Sequence, residues 1–280
     1  MIPIAIESTD DPRVAEYRNV PDAQLLRTRG VFVAEGRQVV RQLLTASRFR
    51  TRSVLVSPSA FESVRDVLEP RDELPVYTMP VERLEALVGF NMHRGCLAVG
   101  ERPQALTVDG CLRDAAPTRL LVVCERLGNA DNVGAIFRNA LAFGAGGVLL
   151  SPGCCDPLYR KSIRVSMGAA LRVPFALVEN WPCGLQAVKD AGFRLLALTT
   201  APPSRPLEDA LASITAAAPI ALVVGHEGDG LSDEARRAAD DCARIDMAAG
   251  VDSLNVATAA GIALYACRRR LGWPASAAGW

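Results

Sequence analysis

Lysine is almost missing from this chain. Only Lys161 and Lys189 occur among its 31 basic residues, and the rest are arginines. The 31 acidic residues bring the formal net charge to zero. That excludes a protein that grips nucleic acid over its whole surface, so any such site is a local patch. The arginine excess reads first as compositional bias, although the forked guanidinium suits phosphate wherever it clusters. Histidine is scarce too: His93 and His226 each stand without a partner at a catalytic spacing. The eight cysteines include no C-x-x-C pair, Cys154-Cys155 is too close for paired tetrahedral ligands, and Cys96, Cys111 and Cys124 are isolated. This argues against a metal site and a disulfide framework, and predicts that most thiols are small buried hydrophobes. The longest nearly apolar run, Val256 to Cys267, is too short to span a bilayer. No basic-then-apolar leader pattern opens the chain, and a cytoplasmic location is expected.

What remains is a globular composition, 50% hydrophobic and 22% charged, over 280 residues, enough for one large or two modest domains. Residues 1–101 alternate between helical and strand patterns. EGRQVVRQLLTAS (35–47) predicts a helix, SVLVS (53–57) a strand and AFESVRDVLEP a helix stopping at Pro70. PVYTM, VERLEALVG and GCLAVGE (95–101) predict a strand, a helix and a strand. Together they form a small α/β unit. RPQALTVDGCLRDAAPT (102–118) interrupts the pattern and predicts a linker.

A larger α/β domain is expected over 119–273, with a flexible tail at 274–280. TRLLVVCER is a continuous apolar strand of the kind buried on both faces. GNADNVGAIFRNALAFGAGGVLL (128–150) predicts an amphipathic helix entering a strand. RKSIRVSMGAAL reads as a helix, VPFALV as a strand, LQAVKDAG as a helix closed by Gly192, and FRLLALTT as a strand. PIALVVG and ARIDM read as strands, SDEARRAADD as a helix capped by Ser232, and NVATAAGIALYACRRR as a long helix. Such alternation predicts a mostly parallel sheet covered by helices, with ligands beyond the carboxyl ends of its strands. Four segments fall there: 129–132, 199–200, 225–230 and 247–255.

VVGHEGDGLS matches neither the dinucleotide fingerprint nor the phosphate-binding P-loop. Glu227 is either a plain turn carboxylate or a site group with backbone packed close around it. Ser253 or Asn255 either caps the last helix or uses the helix's positive end to hold an anion. Ala257, Ala259, Ala260, Gly261 and Ala263 let another helix approach closely. Asp131 or Asn132 reads as the cap of the 128–150 helix. Arg138 borders the stripe Val133, Ile136, Phe137, Ala140 and Leu141, and nothing one turn away neutralises it. It is either a snorkelling arginine or a charge kept for a ligand. Arg268, Arg269 and Arg270 read first as a solvated helix end and second as an RNA contact.

In order, NADNVGAIFRNALAFGAGGVLL, with its N-x-G-x-x-x-R-x-A pattern, LVVGHEGDGLS and RIDMAAGVDSLNVATA resemble the three motifs of the SpoU (TrmH-type) RNA 2′-O-ribose methyltransferases, over roughly 119–270. FVAEG (32–36) and GFNMHRGCLAV (89–99) look like the L30e-like substrate domain of the family's ribosomal-RNA members. The resemblance implies a SPOUT fold: an α/β parallel-sheet domain with a C-terminal trefoil knot, beside a smaller α/β domain. It implies S-adenosylmethionine held by Thr199, Gly225, Ile245, Met247 and Leu254, and a catalytic set of Arg138, Asn132, Glu227, Ser253 and Asn255. It further implies a homodimer whose site is completed by the partner subunit's Arg138. The expected substrate is RNA, with 23S ribosomal RNA favoured over transfer RNA; the rival is an inactive RNA-binding or assembly protein of the same fold. The chain departs from the family pattern at two places. Ile245-Asp246-Met247 stands where Ile-Pro-Met is usual, and Ala257 where a serine is usual.

Overall fold

A computed structural model describes residues 2–89, 95–103, 107–215 and 217–273. The segment containing His93 and the tail at 274–280 lie outside these. The chain divides into two compact units: Met1–Gln104 with Pro157–Arg172, and Ala105–Asp156 with Val173–Trp280.

The first unit runs β1 (Ile4–Ala5), α1 (Asp22–Arg29), β2 (Val31–Glu35), α2 (Arg37–Thr45), β3 (Thr51–Val56), α3 (Pro58–Leu68), β4 (Val76–Thr78), α4 (Val81–Val88) and β5 (Cys96–Glu101). Its sheet order is β1-β4-β3-β5-β2. β5 is antiparallel to β2 and β3, while β3, β4 and β1 are parallel. The core gathers Tyr17, Leu25, Val33, Leu55, Met79, Leu84 and Leu97. α3 starts where the residues dictate: the Ser57 hydroxyl accepts from the Ala60 amide at 3.1 Å, and Pro58 takes the first helical position.

The second unit opens with α5 (Val108–Ala115), β6 (Leu120–Cys124), α6 (Ala130–Ala142) and β7 (Gly147–Leu150). The chain then returns to the first unit as α7 (Arg160–Val165). The second unit resumes with β8 (Phe175–Leu177), α8 (Leu185–Asp190), β9 (Arg194–Leu198), β10 (Arg205–Pro206), α9 (Leu207–Ser213), β11 (Ile220–Val224), α10 (Asp233–Ala238), β12 (Asp241–Arg244) and α11 (Val256–Leu271). Seven parallel strands stand in the order β10-β12-β9-β11-β6-β7-β8. β11 enters late, between β9 and β6, and all five of its residues are buried, as are those of β6.

Four expectations change. The 102–118 segment is not a bare linker, because it folds as α5, whose Cys111, Leu112 and Ala115 are buried in the second unit's core. Residues 157–172 fall inside the span read as one catalytic domain, yet they pack in the first unit. The helix expected over RKSIRVSMGAAL stops at Val165, where the Met167 and Gly168 amides close back on Arg164 and Ile163, each at 3.0 Å. The arginines ending α11 are not simply solvated either. Arg268 is 2% exposed and donates to the carbonyls of Phe143 (2.8 Å), Gly144 (2.7 Å), Thr118 and Gly272 (both 3.2 Å). It serves carbonyls that the end of α6 leaves without helical donors. Arg270 does the same for Leu211 and Ile214 beside α9, at 3.1 and 2.6 Å, while Arg269 is exposed.

Candidate active site

β12, β9, β11 and β6 are neighbours, so the loops beyond their carboxyl ends converge. The loop after β11 is pinched shut: His226 and Gly230 exchange both backbone hydrogen bonds at 3.0 Å. A Cβ on Gly225 would lie 2.4 Å from the Gly230 carbonyl carbon and the Leu231 nitrogen, so only glycine fits. His226 serves the turn as an acceptor, its Nδ1 receiving the Gly228 and Asp229 amides at 3.1 and 3.3 Å. The hairpin leaves Glu227 exposed.

The cap of α6 is Asn129, whose Oδ1 accepts from the Asp131 amide at 2.8 Å, and not Asp131 or Asn132. Asn132 is thereby free for other work. Asn255 caps α11: its Oδ1 accepts from the Ala257 and Thr258 amides at 3.0 and 3.1 Å. Its Nδ2 then donates to Asn132 Oδ1 at 2.9 Å, and Asn132 Nδ2 donates to Glu227 Oε1. The direction of every bond follows from the first, because a capping oxygen leaves only the amide nitrogen to give. The positive end of α11 is thus relayed through two amides to a carboxylate. Asn132 is 7% exposed, so it positions Glu227 from behind.

Beside this relay lies a cavity of about 510 Å³, lined by Thr199, Gly225, Glu227, Ile245, Met247, Ser253, Leu254 and Asn255 among others. The structure therefore brings together all five residues expected to hold the cofactor and three of the five expected to be catalytic. Asn132 touches two of the lining residues. Arg138 is set apart: it is exposed and makes no hydrogen bond or ion pair among the described residues. Six residues along a helix is a rotation about 120° short of two full turns, so α6 cannot aim Asn132 and Arg138 at one place.

The SpoU rRNA Methylase family matches residues 119–265. An uncharacterized tRNA/rRNA methyltransferase of Mycobacterium tuberculosis is 39% identical over 267 residues, covering 91% of this chain and 88% of its own. An AdoMet-bound rRNA methyltransferase from Sinorhizobium meliloti is similar in structure, with a TM-score of 0.78, 26% identity, and 95% and 98% of the two chains covered. An RNA 2′-O ribose methyltransferase superposes with a TM-score of 0.75 and 25% identity over 96% of this chain and 99% of its own. The chain belongs to the SpoU family. It is an S-adenosylmethionine-dependent RNA 2′-O-ribose methyltransferase.

The cavity of this SpoU enzyme fits that cofactor in size and lining. Leu198, Val224, Leu231, Ile245, Leu254 and Val256 give it apolar walls, and Glu227, Ser253 and Asn255 give it polar groups. Asp246 does not leave a bare carboxylate at its edge, because Arg244 Nε donates to it at 2.9 Å. At the second departure, Ala257 is buried and its carbonyl accepts from Asn139 Nδ2 at 2.8 Å, where α6 meets α11. The expected close approach is at Gly261, where an added Cβ would lie 3.0 Å from Asn139.

Sequence reasoning passed over Glu125. It is 1% exposed and accepts from Trp181 Nε1 at 2.7 Å and the Ser232 amide at 2.8 Å, tying the end of β6 to the start of α10. An acid ending an otherwise apolar strand was the available signal. A second cleft of about 660 Å³ lies along β10 and β12. There Asp241 already pairs with Arg205 and Arg194 at 2.5 and 2.9 Å, and none of the expected site residues lines it. Among the described residues, no three acidic, histidine or cysteine side chains gather to hold a metal ion.

Proposed function

We propose that this methyltransferase acts in the cytoplasm as a homodimer on ribosomal RNA, with the large-subunit RNA favoured, and that each site borrows the partner subunit's Arg138. The observation that carries the reading is the separation on α6. Asn132 is buried behind Glu227, a residue lining the cavity of its own chain, while Arg138 stands exposed on another flank of the same helix. The surface of α11, which packs on α6, supports a second subunit there. Ile262 and Tyr265 are 42% and 47% exposed, and Tyr265 stacks edge-on against Phe143 with centroids 5.9 Å apart. The separate N-terminal α/β unit, read as L30e-like, and the likeness to a solved rRNA methyltransferase support the ribosomal substrate.

S-adenosylmethionine, when bound, supplies a methyl group already activated by its sulfonium. The chain has then to place a ribose 2′-oxygen in line, let its proton pass to solvent and stabilise the charge that grows on the oxygen, the cofactor leaving as the neutral thioether. Thr199, Gly225, Ile245, Met247 and Leu254 would hold the cofactor. A guanidinium is effectively never deprotonated in proteins, so Arg138 serves by charge: it stabilises the developing 2′-oxyanion and grips the adjacent phosphate. Glu227, held by Asn132, orients that guanidinium, and Ser253 and Asn255 shape the site around it.

Mixed dimers test the shared site. An Arg138→Ala subunit paired with a Glu227→Ala subunit retains one intact site and recovers methyl transfer. No recovery in confirmed mixed dimers overturns the sharing. Mapping of ribose methylation across ribosomal and transfer RNA, with and without the gene, tests the substrate. A lost mark confined to transfer RNA overturns the ribosomal reading.

A further inference from the structure

We infer that residues 157–172, the strap that leaves the methyltransferase sheet to pack in the N-terminal unit, form a phosphate- and base-contacting surface for RNA. The inference rests only on the chain being an RNA methyltransferase, not on the ribosomal substrate.

The charge is local. In a chain of zero net charge, the strap PLYRKSIRVSMGAALR carries four cations and no acid, including one of the two lysines. Its position is fixed. The Arg160 amide donates to Asp22 Oδ2 at 2.9 Å, and its Nε lies 3.1 Å from Oδ1 of the same carboxylate. At the far end, the Leu171 carbonyl accepts from the Arg48 amide at 3.0 Å. Between these anchors Ile163, Ala169 and Ala170 are buried, while Lys161, Arg164, Met167 and Arg172 are exposed. Lys161 and Arg164 are neighbours on one helical face. Arg164 pairs with Glu35 at 3.6 Å, yet its side chain stays 56% exposed.

Met167 is the stronger sign. It follows the end of α7 with φ at 52°, in the left-handed region where glycine is the usual residue. A methionine there is strained, and this one is 45% exposed. An unbranched, polarisable side chain held out beside two cations suits an apolar contact with a base. Lys161 and Arg164 suit the flanking phosphates.

The test is binding of two fluorescein-labelled RNAs, a ribosomal-RNA stem-loop and a transfer RNA, followed by anisotropy over a range of salt. Lys161→Gln with Arg164→Gln should weaken binding roughly tenfold and make the salt dependence shallower by about 1–2 in log–log slope. Met167→Gly should raise the melting temperature and still lower RNA affinity several-fold. Cofactor binding by calorimetry should be unchanged in all variants. RNA affinity and salt slope equal to the wild type overturn the inference. If the double variant does not fold, Met167→Gly decides alone, because it relieves backbone strain. A wild type that binds no RNA at all would instead sink the RNA methyltransferase reading itself.

Discussion

Arg138 and Arg268 sit on two helices that pack together, and their surroundings separate their roles. Arg268 donates to four carbonyls and is buried, and burial pulls its pKa below the usual guanidinium value. Arg268→Met keeps the length and removes every donor, so it should lower stability by about 2–4 kcal/mol in urea unfolding. Arg138 has no such structural load. Arg138→Lys should leave urea unfolding and cofactor affinity unchanged and cut methyl transfer by at least about tenfold, because the fork is lost. Near-full methylation would overturn the bidentate role. The thiols divide in the same way. Burial pushes Cys96 and Cys267 up to about 12 and Cys124 well above its ordinary value. At neutral pH they stay protonated, whereas Cys183 is exposed. A thiol reagent should therefore modify Cys183 in the native protein and reach those three only on unfolding. Their rapid labelling in the native state would contradict this.

At the scale of elements, the pinched loop after β11 carries the sharpest expectation. Gly225→Ala forces the Gly230–Leu231 backbone away, which should cost about 1–3 kcal/mol and weaken cofactor binding at least tenfold by calorimetry. Wild-type affinity would show that the loop yields without harm. Most of the strands and long helices were legible, because apolar runs such as Leu120–Cys124 and Ile220–Val224 admit one reading when buried on both faces. The ordered motifs also placed the cavity-lining loops, since a parallel sheet puts its site beyond the carboxyl ends. What escaped were features set by distant partners. α5 has a polar sequence and becomes a helix of the core through Cys111, Leu112 and Ala115. The Asn132 amide reads as a cap until Asn129 is seen to fill that position. Nothing near Arg268 in sequence announces the carbonyls of α6 that it serves.

Across the whole molecule, the chain passes between its two units three times, after residues 104, 156 and 172. A fragment beginning at residue 119 would keep the catalytic motifs but leave the strap without its partners. Leu158, Ile163, Ala169, Ala170 and Leu171, all buried in the native chain, would lose their covering. Such a fragment should bind a hydrophobic dye and elute as an aggregate, and a monodisperse fragment of native melting temperature would show that the strap folds without the first unit. The same threading bears on how the architecture is inherited. The N-terminal unit cannot be exchanged between relatives as a single cassette, because Asp22 anchors Arg160 from a stretch encoded far downstream. A chimaera that takes residues 1–104 from another member must also take residues 157–172, so this one folding unit travels in two separate pieces of the gene.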